Sequence, residues 1–387
     1  MKQKLLLIIE AMSGGAGRHV QDLISHLPQE KFDIYVIYSN HRTNPDFLEK
    51  IVTMNEQVTF ILCDFLVREI KPKYDLLAYQ FISKKIKEIK PDIVHCHSSK
   101  AGVIGRLAAK RRGVKKIFYT PHAYSFLAPE FSGKKKFLFV QIEKFLSRFA
   151  TTQTFCVSIA EMQAALEVNL DKTDKFQVIY NGLPEIDLPS KETIRAQLGL
   201  EKAAVVIGNN ARMSEQKNPM FFMEIARKMI RQNANWHFVW AGDGQLMPLL
   251  QSFIKQNGLE GNIHLLGERP DSEIVVTAYD IFMTTSQYEG LPYAPIEAMR
   301  AGVPILATKV VGNSELVIEG KNGYLIDLEW SKSVEEKLYK AAKMDAQMIK
   351  ADFRQRFAID QMLKQIETIY LACRRVPEEH EKLFETL

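Results

Sequence analysis

Residues 4–27 read KLLLIIEAMSGGAGRHVQDLISHL and contain a short apolar run, a glycine-rich turn and a helical stripe in succession. The apolar run has the length of a buried strand. After the turn, apolar side chains recur at the 3.6-residue spacing of an amphipathic helix: Val20, Leu23, Ile24 and Leu27. The order strand, loop, helix is the repeating unit of a parallel sheet with helices on both faces.

The same alternation recurs in two series separated by a short linker. The first series has six segments of strand character: LLLII (5–9), FDIYVIY (32–38), DIVHCH (92–97), KKIFYT (115–120), QTFCVS (153–158) and FQVIY (176–180). The stretch NGLPEIDLPSKE then has the composition of a linker, near residues 183–190. Five further segments follow it: AAVVIGNN (203–210), HFVWAG (237–242), NIHLLG (262–267), IFMTTS (281–286) and PILAT (304–308).

We therefore predict an α/β protein with two Rossmann-like, doubly wound parallel sheets. Residues 1–185 form the first domain and residues 186–357 the second. A helix predicted at about 359–374 could cap either domain, and we expect the segment 358–387 to pack back on the first. Ligands of such folds bind beyond the carboxyl ends of the strands, so functional residues are expected in the loops that follow strands.

The composition favours a soluble globular protein. Hydrophobic residues make up 46% and charged residues 25% of the 387 residues. The longest apolar runs are far shorter than the roughly 20 residues of a membrane span. The first residues lack the pattern of a signal peptide, and the four cysteines lack the spacing of a disulfide framework or zinc site. We expect a cytoplasmic protein.

Basic residues are concentrated in the first half of the chain. Residues 1–185 carry 27 Lys and Arg against 19 Asp and Glu, whereas residues 186–387 carry 24 against 27. The excess is either a solvated surface or a site for an anionic partner. The segment KKKFLFVQIEKFLSRFA (134–150) combines lysines with an apolar stripe, so an anionic membrane is one candidate, although such a stripe is more typical of core packing. We expect no nucleic-acid partner.

Two glycine-rich turns follow predicted strands. In SGGAG, Gly14 and Gly15 either shape a tight turn or let the backbone approach a phosphate at a helix N-terminus. The spacing is not Gly-x-Gly-x-x-Gly and Asp33 lies too early to bind a ribose, so a dinucleotide-dependent dehydrogenase is disfavoured. In AGDGQ, Gly242 and Gly244 suit the close approach of a nucleotide.

Two cations follow the first strand of the second series. In NNARMSEQKNP, Arg212 and Lys217 lie between this strand and a helix that begins near Pro219. They are either surface charges or a clamp for a diphosphate, with Arg as a planar fork and Lys as a point charge.

The stretch TTSQYEGLPYAPIEAMRAGVPILATK holds two glutamates eight residues apart. Pro292 is a natural first helical residue. Glu289, Gly290 and Leu291 would then precede the helix, where backbone amides suit a phosphate. Glu297 would lie about a turn and a half into it, in apolar surroundings that argue against a solvated position. Since carboxylates accept hydrogen bonds from vicinal hydroxyls, the pattern indicates a nucleoside diphosphate sugar as ligand.

One histidine follows a strand in the first half. His122 comes directly after KKIFYT, in the sequence YTPHAYSF. A lone histidine is more often structural than catalytic, but a position at a strand end favours a functional role.

Together these motifs resemble the retaining glycosyltransferases of the GT-B fold, from family 4 of the sequence classification. The resemblance covers nearly the whole chain and is strongest at Glu-x7-Glu, here Glu289 and Glu297, followed by AMRAGVPILATKVVGNSELVIEGKNGYLI. The Arg-x4-Lys pair, the Gly-Asp-Gly turn, the segment YNGLP and the N-terminal SGG occur in the expected order. The resemblance implies two Rossmann-like domains that face a central cleft.

The resemblance also implies a role for each motif residue. Arg212 and Lys217 would hold the donor diphosphate and stabilise the leaving group. Glu289 would contact hydroxyls of the donor sugar, and Glu297 would accept hydrogen bonds from the ribose. His122 would lie near the transferred sugar on the acceptor side. Further donor contacts would come from six positions: Gly14, Gly15, Gly242, Gly244, Gly290 and Leu291.

The implied reaction moves a hexose or N-acetylhexosamine from a nucleoside diphosphate sugar to a saccharide acceptor linked to a lipid diphosphate, with retention, in cell-surface polysaccharide synthesis. No two aspartates are separated by one residue, so the Asp-x-Asp metal site of the other glycosyltransferase fold is absent, and we expect neither cofactor nor metal. Such an enzyme would be cytoplasmic, peripheral on the inner face of the plasma membrane. Three alternatives stay open: an enzyme like UDP-sugar 2-epimerase, a soluble transferase with a small-molecule or glucan acceptor, and a non-catalytic sugar-nucleotide-binding protein.

Overall fold

The computed structural model describes residues 2–43, 48–49, 53–54, 56–128 and 131–372. The chain divides into two compact units. The first unit runs to Asn181 and takes up the chain again from Met362, whereas the second is Gly182–Gln361.

A seven-stranded parallel sheet forms the middle of the first unit, in the order β3-β2-β1-β4-β5-β6-β7. Its strands are β1 (Gln3–Ala11), β2 (Phe32–Ser39), β3 (Val58–Leu62), β4 (Ile93–His97), β5 (Lys116–Thr120), β6 (Gln153–Cys156) and β7 (Phe176–Val178). Its helices include α1 (Gly14–His26), α2 (Pro72–Ile89), α3 (Ser99–Arg111), α4 (Gly133–Ala150) and α5 (Ile159–Glu167). Residues 5–9 of β1 are fully buried, since helices cover both faces of a parallel sheet.

The second unit holds a six-stranded parallel sheet in the order β10-β9-β8-β11-β12-β13. Its strands are β8 (Val205–Asn210), β9 (Trp236–Ala241), β10 (Ile263–Gly267), β11 (Ile281–Thr284), β12 (Ile305–Thr308) and β13 (Gly323–Ile326). Its helices include α6 (Lys191–Gln197), α7 (Pro219–Gln232), α8 (Met247–Asn257), α9 (Ser272–Val275), α10 (Tyr293–Ala301), α11 (Val311–Leu316), α12 (Lys332–Ala341) and α13 (Ala346–Arg356).

Each sheet has a point where the strand order reverses. β1 lies between β2 and β4, and β8 lies between β9 and β11. At such a switch point the connections after two neighbouring strands leave toward opposite faces of the sheet, which opens a crevice at the carboxyl edge. The loops after β1 and β4, and those after β8 and β11, are therefore where ligands are expected.

The last described helix, α14 (Ile359–Leu371), packs on the first unit. The ring of Tyr370 is fully buried and lies edge-on to Phe32, with ring centroids 5.9 Å apart. Its hydroxyl forms a hydrogen bond with Nδ1 of His95, and Nζ of Lys116 donates to its carbonyl at 2.7 Å. This helix therefore supplies part of the core of the first sheet.

The α/β class and the two Rossmann-like domains of the GT-B class are confirmed, and all eleven predicted strands are present. Two further strands, β3 and β13, are not predicted from the sequence. Each lies at one edge of its sheet, and the strands at the opposite edges, β7 and β10, are among those predicted. β3 is only partly buried and β13 has four residues, so neither shows the long apolar run of a central strand.

Candidate active site

The loops after β8 and β11 meet at the switch point of the second sheet. The first loop carries Arg212 and Lys217, and the second carries Glu289. Nζ of Lys217 lies 2.5 Å from Oε1 of Glu289, and the two side chains are 18% and 7% exposed. The structure therefore brings together two charged residues that the sequence predicts to act on one ligand.

Further hydrogen bonds fasten these two loops to each other. The backbone N–H of Gln287 donates to the carbonyl of Gln216 at 2.8 Å, and Nε2 of Gln216 donates to the carbonyl of Tyr288 at 3.1 Å. Oγ1 of Thr285 donates to the carbonyl of Lys217 at 3.1 Å. Because its backbone is held in this way, the ammonium of Lys217 is preorganised before any ligand binds.

Lys217 neutralises Glu289 and still has donors to offer. An ammonium group has three N–H donors, and the contact with Glu289 uses one of them. Nζ has no second partner within the part of the chain that the structure describes. An anion can therefore bind to Lys217 without first breaking the ion pair.

Arg212 differs from Lys217 in that its side chain is not held by an ion pair with a described residue. Its side chain is exposed and makes no hydrogen bond or ion pair with any described residue. A guanidinium offers five N–H donors in a planar fork that matches a phosphate. This cation is therefore available to an anionic ligand.

The Gly-Asp-Gly turn after β9 packs closely against the backbone of the loop that carries Arg212. A Cβ at Gly242 would lie 2.1 Å from the carbonyl oxygen of Ala211, and one at Gly244 would lie 2.4 Å from that of Met213. The sequence predicts that these glycines admit a nucleotide, whereas the structure shows them admitting the backbone on either side of Arg212. Their direct contact with a donor stays a prediction.

The segment around Gly290 leads into α10 one residue later than predicted. Pro292 is the N-cap, with φ −73° and ψ 141°, because an N-cap has extended rather than helical backbone. A Cβ at Gly312 would lie 1.8 Å from the carbonyl oxygen of Gly290, so Gly312 lets this segment rest on α11. A Cβ at Gly290 would meet nothing within 4 Å, whereas Leu291 is buried. Gly290 therefore has an open side toward which a ligand can approach.

Glu297 is the fifth residue of α10 and is 7% exposed. Its neighbours Ile296 and Ala298 are fully buried. The carboxylate is thus held inside the domain, at the middle of this nine-residue helix.

In the first unit, the loop after β1 leads into the N-terminus of α1. Gly14 begins this helix with φ +59°, and both Gly14 and Gly15 are exposed. Gly17 serves packing, since a Cβ there would lie 2.5 Å from the carbonyl carbon of Met12. The first turn has no acidic residue, so the positive end of the helix dipole stays open. This geometry suits the predicted approach of a phosphate to Gly14 and Gly15.

Four histidines gather at the carboxyl edge of the first sheet. His97 is the last residue of β4 and His95 the middle one, His122 follows β5, and His19 lies in α1. The ring centroids of His95 and His97 are 4.0 Å apart, and those of His19 and His122 are 5.0 Å apart. Only His122 is predicted from the sequence, so its three neighbours are a finding of the structure.

Burial keeps these imidazoles neutral near pH 7. It lowers the pKa of His19 to about 4, although the hydrogen bond with Asn181 acts in the opposite direction. The pKa values of His95, His97 and His122 also lie well below the ordinary value, because burial and the neighbouring imidazoles disfavour a positive charge. Neutral imidazoles accept hydrogen bonds as well as donate them.

Glu161 holds the turn that carries His122. His122 and Ala123 have φ values of +54° and +80°, in the left-handed region that costs a residue with a Cβ about 1–2 kcal/mol. Oε1 of Glu161 accepts a hydrogen bond from the N–H of Ala123 at 2.6 Å, and Oε2 accepts one from the N–H of Val157 at 2.8 Å. A carboxylate with two backbone donors is a strong anchor, so Glu161 positions His122.

Two family models together match most of the chain. Residues 13–185 match the model described as Glycosyltransferase Family 4, and residues 190–358 match Glycosyl transferases group 1. An Escherichia coli enzyme, UDP-Gal:alpha-D-GlcNAc-diphosphoundecaprenol alpha-1,3-galactosyltransferase, is 32% identical over 314 residues, which are 78% of this chain and 78% of that enzyme. The chain belongs to glycosyltransferase family 4. It is therefore an enzyme, and its reaction is glycosyl transfer.

Other similar proteins agree with the family 4 assignment. The O-antigen biosynthesis glycosyltransferase WbnH of Escherichia coli is 28% identical over 329 residues, which cover 84% of this chain and 86% of WbnH. The crystal structure of Anabaena Alr3699/HepE in complex with UDP and glucose matches with a TM-score of 0.77 at 22% identity, over 96% of this chain and 100% of that chain. At this identity the structural match establishes a shared fold.

The described part of this family 4 glycosyltransferase contains no helix with both the length and the apolar character needed to cross a bilayer.

Proposed function

We propose that this glycosyltransferase moves a hexose or N-acetylhexosamine from a nucleoside diphosphate sugar to a saccharide carried on a lipid diphosphate, with retention of configuration and without a divalent ion. The observation that carries the proposal is the contact of Lys217 with Glu289, beside the free Arg212, at the switch point of the second sheet. The diphosphoundecaprenol-linked substrate in the name of the 32% identical Escherichia coli enzyme supports the acceptor class.

The two cations act on the leaving group. When the bond from the sugar to the diphosphate breaks, negative charge builds on the β-phosphate. Cations that are already in place stabilise that charge more strongly in the transition state than in the ground state. Lys217 supplies a fixed ammonium and Arg212 a planar fork, and together they do what a divalent ion does in a metal-dependent transferase.

The two glutamates bind hydroxyls at the two ends of the donor. Glu289 holds hydroxyls of the transferred sugar, and its charge is balanced by Lys217 at 2.5 Å. Glu297 accepts hydrogen bonds from the ribose. The open side of Gly290 and the N-terminal end of α10 offer backbone N–H groups to the phosphates.

Transfer proceeds with the acceptor attacking on the face that the diphosphate leaves. The bond from C1 to the acceptor oxygen forms while the bond from C1 to the phosphate oxygen breaks, and the phosphate takes the proton of the acceptor hydroxyl. We assign acceptor binding to the first domain. His122, Gly14 and Gly15 keep the roles that the family implies for them.

The test begins with the donor. UDP-, GDP- and ADP-sugars are screened for thermal stabilisation of the full chain, because a ligand that binds the folded state raises its stability. The donor that stabilises best is then incubated with GlcNAc on a polyprenyl diphosphate, and the anomeric configuration of the product is read by NMR. We expect retained configuration and unchanged turnover in EDTA.

Other outcomes separate the alternatives. An inverted product, or a loss of turnover in EDTA that Mg²⁺ restores, would overturn the proposed mechanism. Transfer to glucans or small glycosides alone would replace the lipid-linked acceptor by a soluble one. Conversion of the sugar without any acceptor would indicate an epimerase.

Helix α4 supports a location on an anionic membrane, at the inner face of the plasma membrane. Its buried face includes Glu143, which pairs with the fully buried Arg106 at 2.7 Å. Phe137 and Leu138 are instead 66% and 52% exposed, in contrast to the core packing typical of an apolar stripe. They follow two exposed lysines, Lys134 and Lys135. Lysines are disfavoured at a helix N-terminus unless an anionic surface compensates them.

Vesicle sedimentation tests this location. We expect binding that increases with the fraction of anionic lipid and that weakens when Phe137→Glu or Leu138→Glu places a charge on the exposed face. Leu249→Glu is the matched control, because Leu249 is 50% exposed on α8 of the second unit. Binding that ignored anionic lipid, or that fell equally in the control, would contradict the membrane proposal.

A further inference from the structure

Three of the four histidines at the edge of the first sheet converge on one point. His19, His97 and His122 each present a ring nitrogen, and these three atoms lie within 4.8 Å of one another. The residues come from three different elements, the helix after β1, the end of β4 and the loop after β5. Their meeting is therefore a product of the tertiary fold and not of a local sequence motif.

The hydrogen bonds of the rings distinguish His19 and His97 from His95. His95 uses both ring nitrogens, Nδ1 toward the hydroxyl of Tyr370 and Nε2 toward Oγ1 of Thr120 at 2.8 Å. His19 and His97 instead each leave a buried Nε2 with no hydrogen-bond partner among the described residues. A buried polar nitrogen without a partner is costly, so two of them within one histidine cluster call for a ligand.

The tautomers leave a lone pair on each of these two nitrogens. Nδ1 of His19 lies 3.1 Å from Oδ1 of Asn181. An amide oxygen can only accept, so Nδ1 carries the proton and Nε2 is a bare lone pair. Nδ1 of His97 lies 3.2 Å from Nε2 of His122, and when this Nδ1 donates, Nε2 of His97 is a lone pair as well.

We propose that His19, His97 and His122 bind a divalent transition-metal ion of the zinc class. Three neutral imidazoles are a ligand set that Zn²⁺ accepts, with a fourth position left to water or another ligand. Mg²⁺ and Ca²⁺ require oxygen ligands and do not suit this set. Asn181 fixes the orientation and tautomer of one ligand, as groups behind metal-binding histidines commonly do.

The three histidines differ in exposure, and the most exposed one gives the ion access to the site. His19 and His97 are 2% and 0% exposed, whereas His122 is partly exposed. Zinc–nitrogen bonds of 2.0–2.1 Å in a tetrahedron require ligand nitrogens about 3.3 Å apart, so the rings must draw together on binding. The accessible His122 can turn from Nε2 of His97 toward the ion. The site lies within the first unit and does not involve Arg212 or Lys217.

Metal binding to the full chain, without a histidine tag, tests the proposal directly. The protein is stripped with a chelator, dialysed against Zn²⁺ or Co²⁺, and its metal content is measured by mass spectrometry. The visible spectrum of bound Co²⁺ reports nitrogen ligation and a low coordination number. We expect about one equivalent in the wild type and at least about a tenfold weaker affinity in His19→Gln.

A second pair of histidines supplies the matched control. Nδ1 of His237 lies 3.1 Å from Nε2 of His264 in the second unit, so His237→Gln removes a histidine from a pair outside the proposed site. We expect this variant to bind like the wild type. If His19→Gln does not fold, His122→Ala replaces it, because His122 is partly exposed.

Three results would overturn the proposal: no bound metal in the wild type, unchanged affinity in both triad variants, or loss of binding in His237→Gln. The site shares His122 with the proposed transfer site, whereas Arg212, Lys217 and Glu289 lie outside it, so metal content and donor chemistry can be tested separately. Turnover lost in EDTA and restored by Mg²⁺ would refute metal-independent transfer and leave the histidine site standing. Turnover restored by Zn²⁺ alone would also refute it, and would show that the histidine site serves catalysis.

Discussion

The carboxyl edges of the two sheets have the same architecture and opposite chemistry. At each edge a glycine-containing turn and a loop from a neighbouring strand meet beside a switch point. The first edge collects neutral histidines packed ring against ring, whereas the second collects an ion pair and a free guanidinium. The strand order thus fixes where a site lies, and the side chains on the loops set the charge of that site.

The largest expected effect comes from removing the free cation at the second edge. We expect Arg212→Ala to lower kcat on the order of 10²–10³-fold, as the loss of one electrostatic donor does in other enzymes. Its free energy of unfolding should change by less than about 0.5 kcal/mol, because the side chain is exposed and has no hydrogen bond or ion pair with a described residue. Steady-state kinetics and urea unfolding measure the two effects. Arg231→Ala is the control, because Arg231 is also exposed and also lacks a partner in the described part of the chain, and equal losses in both variants would contradict the assignment.

The second test asks whether the charged edge depends on its glycines. Gly242→Ala places a Cβ 2.1 Å from the carbonyl oxygen of Ala211 at φ +136°. The strain and the overlap should together lower the free energy of unfolding by about 3 kcal/mol. Gly258 also has positive φ, at +64°, but open space around its Cβ position, so Gly258→Ala should cost about 1–2 kcal/mol. Equal urea midpoints for the two variants would show that the contact with Ala211 is not tight.

The third test asks whether the histidines at the carboxyl edge of the first sheet are uncharged. The pKa of His19 is about 4 in the folded protein and about 6.5 in the unfolded chain, so only the unfolded chain binds this proton between these values. The contribution of His19 to the free energy of unfolding is therefore complete above pH 6.5. It falls by about 1.4 kcal/mol per pH unit as the pH is lowered toward 4. Urea unfolding in EDTA between about pH 7.5 and 5.5 measures the slope. His19→Gln should make the dependence of unfolding free energy on pH shallower. An unchanged slope would contradict the conclusion that His19 is neutral in the folded protein.

The smallest expected effect concerns Glu161, whose carboxylate holds the turn that carries His122. In Glu161→Gln, the amide NH₂ group must face one of the two backbone N–H donors that the carboxylate now satisfies. We expect a loss of about 1 kcal/mol in unfolding free energy together with reduced turnover. Glu167→Gln, an exposed position on the same helix, should leave both unchanged. If Glu161→Gln behaved like this control, the result would contradict the inference that Glu161 positions His122.

Most of the fold can be predicted from the sequence because central strands of a parallel sheet are buried on both faces. Such strands are continuous apolar runs, as in residues 5–9. The strands β3 and β13 lack this signature, since β3 is only partly buried and β13 has four residues, two of them only partly buried. The meeting of Lys217 with Glu289 is predictable for a related reason, because their loops follow two strands that are adjacent in the sheet.

The rest of the site depends on contacts that no local pattern contains. DIVHCH does place His95 and His97 on the same face of a strand, which was the available signal. Nothing in α1 marks His19, because its partners are remote in the sequence. The spacing of Ser158 and Glu161 is that of a capping box, and Oγ of Ser158 accepts from the N–H of Glu161 at 3.0 Å. The carboxylate itself reaches the turn of His122, which only the tertiary structure shows.

The return of helix α14 to the first sheet has a consequence for biosynthesis. Tyr370 covers His95 on a sheet whose strands are all made before residue 181, and the entire segment Gly182–Gln361 is translated in between. At roughly 5–20 residues per second, a ribosome needs on the order of 10 s or more to cover that distance. During this interval the nascent first domain carries an uncovered apolar surface, which makes it a natural client for chaperones that act during translation.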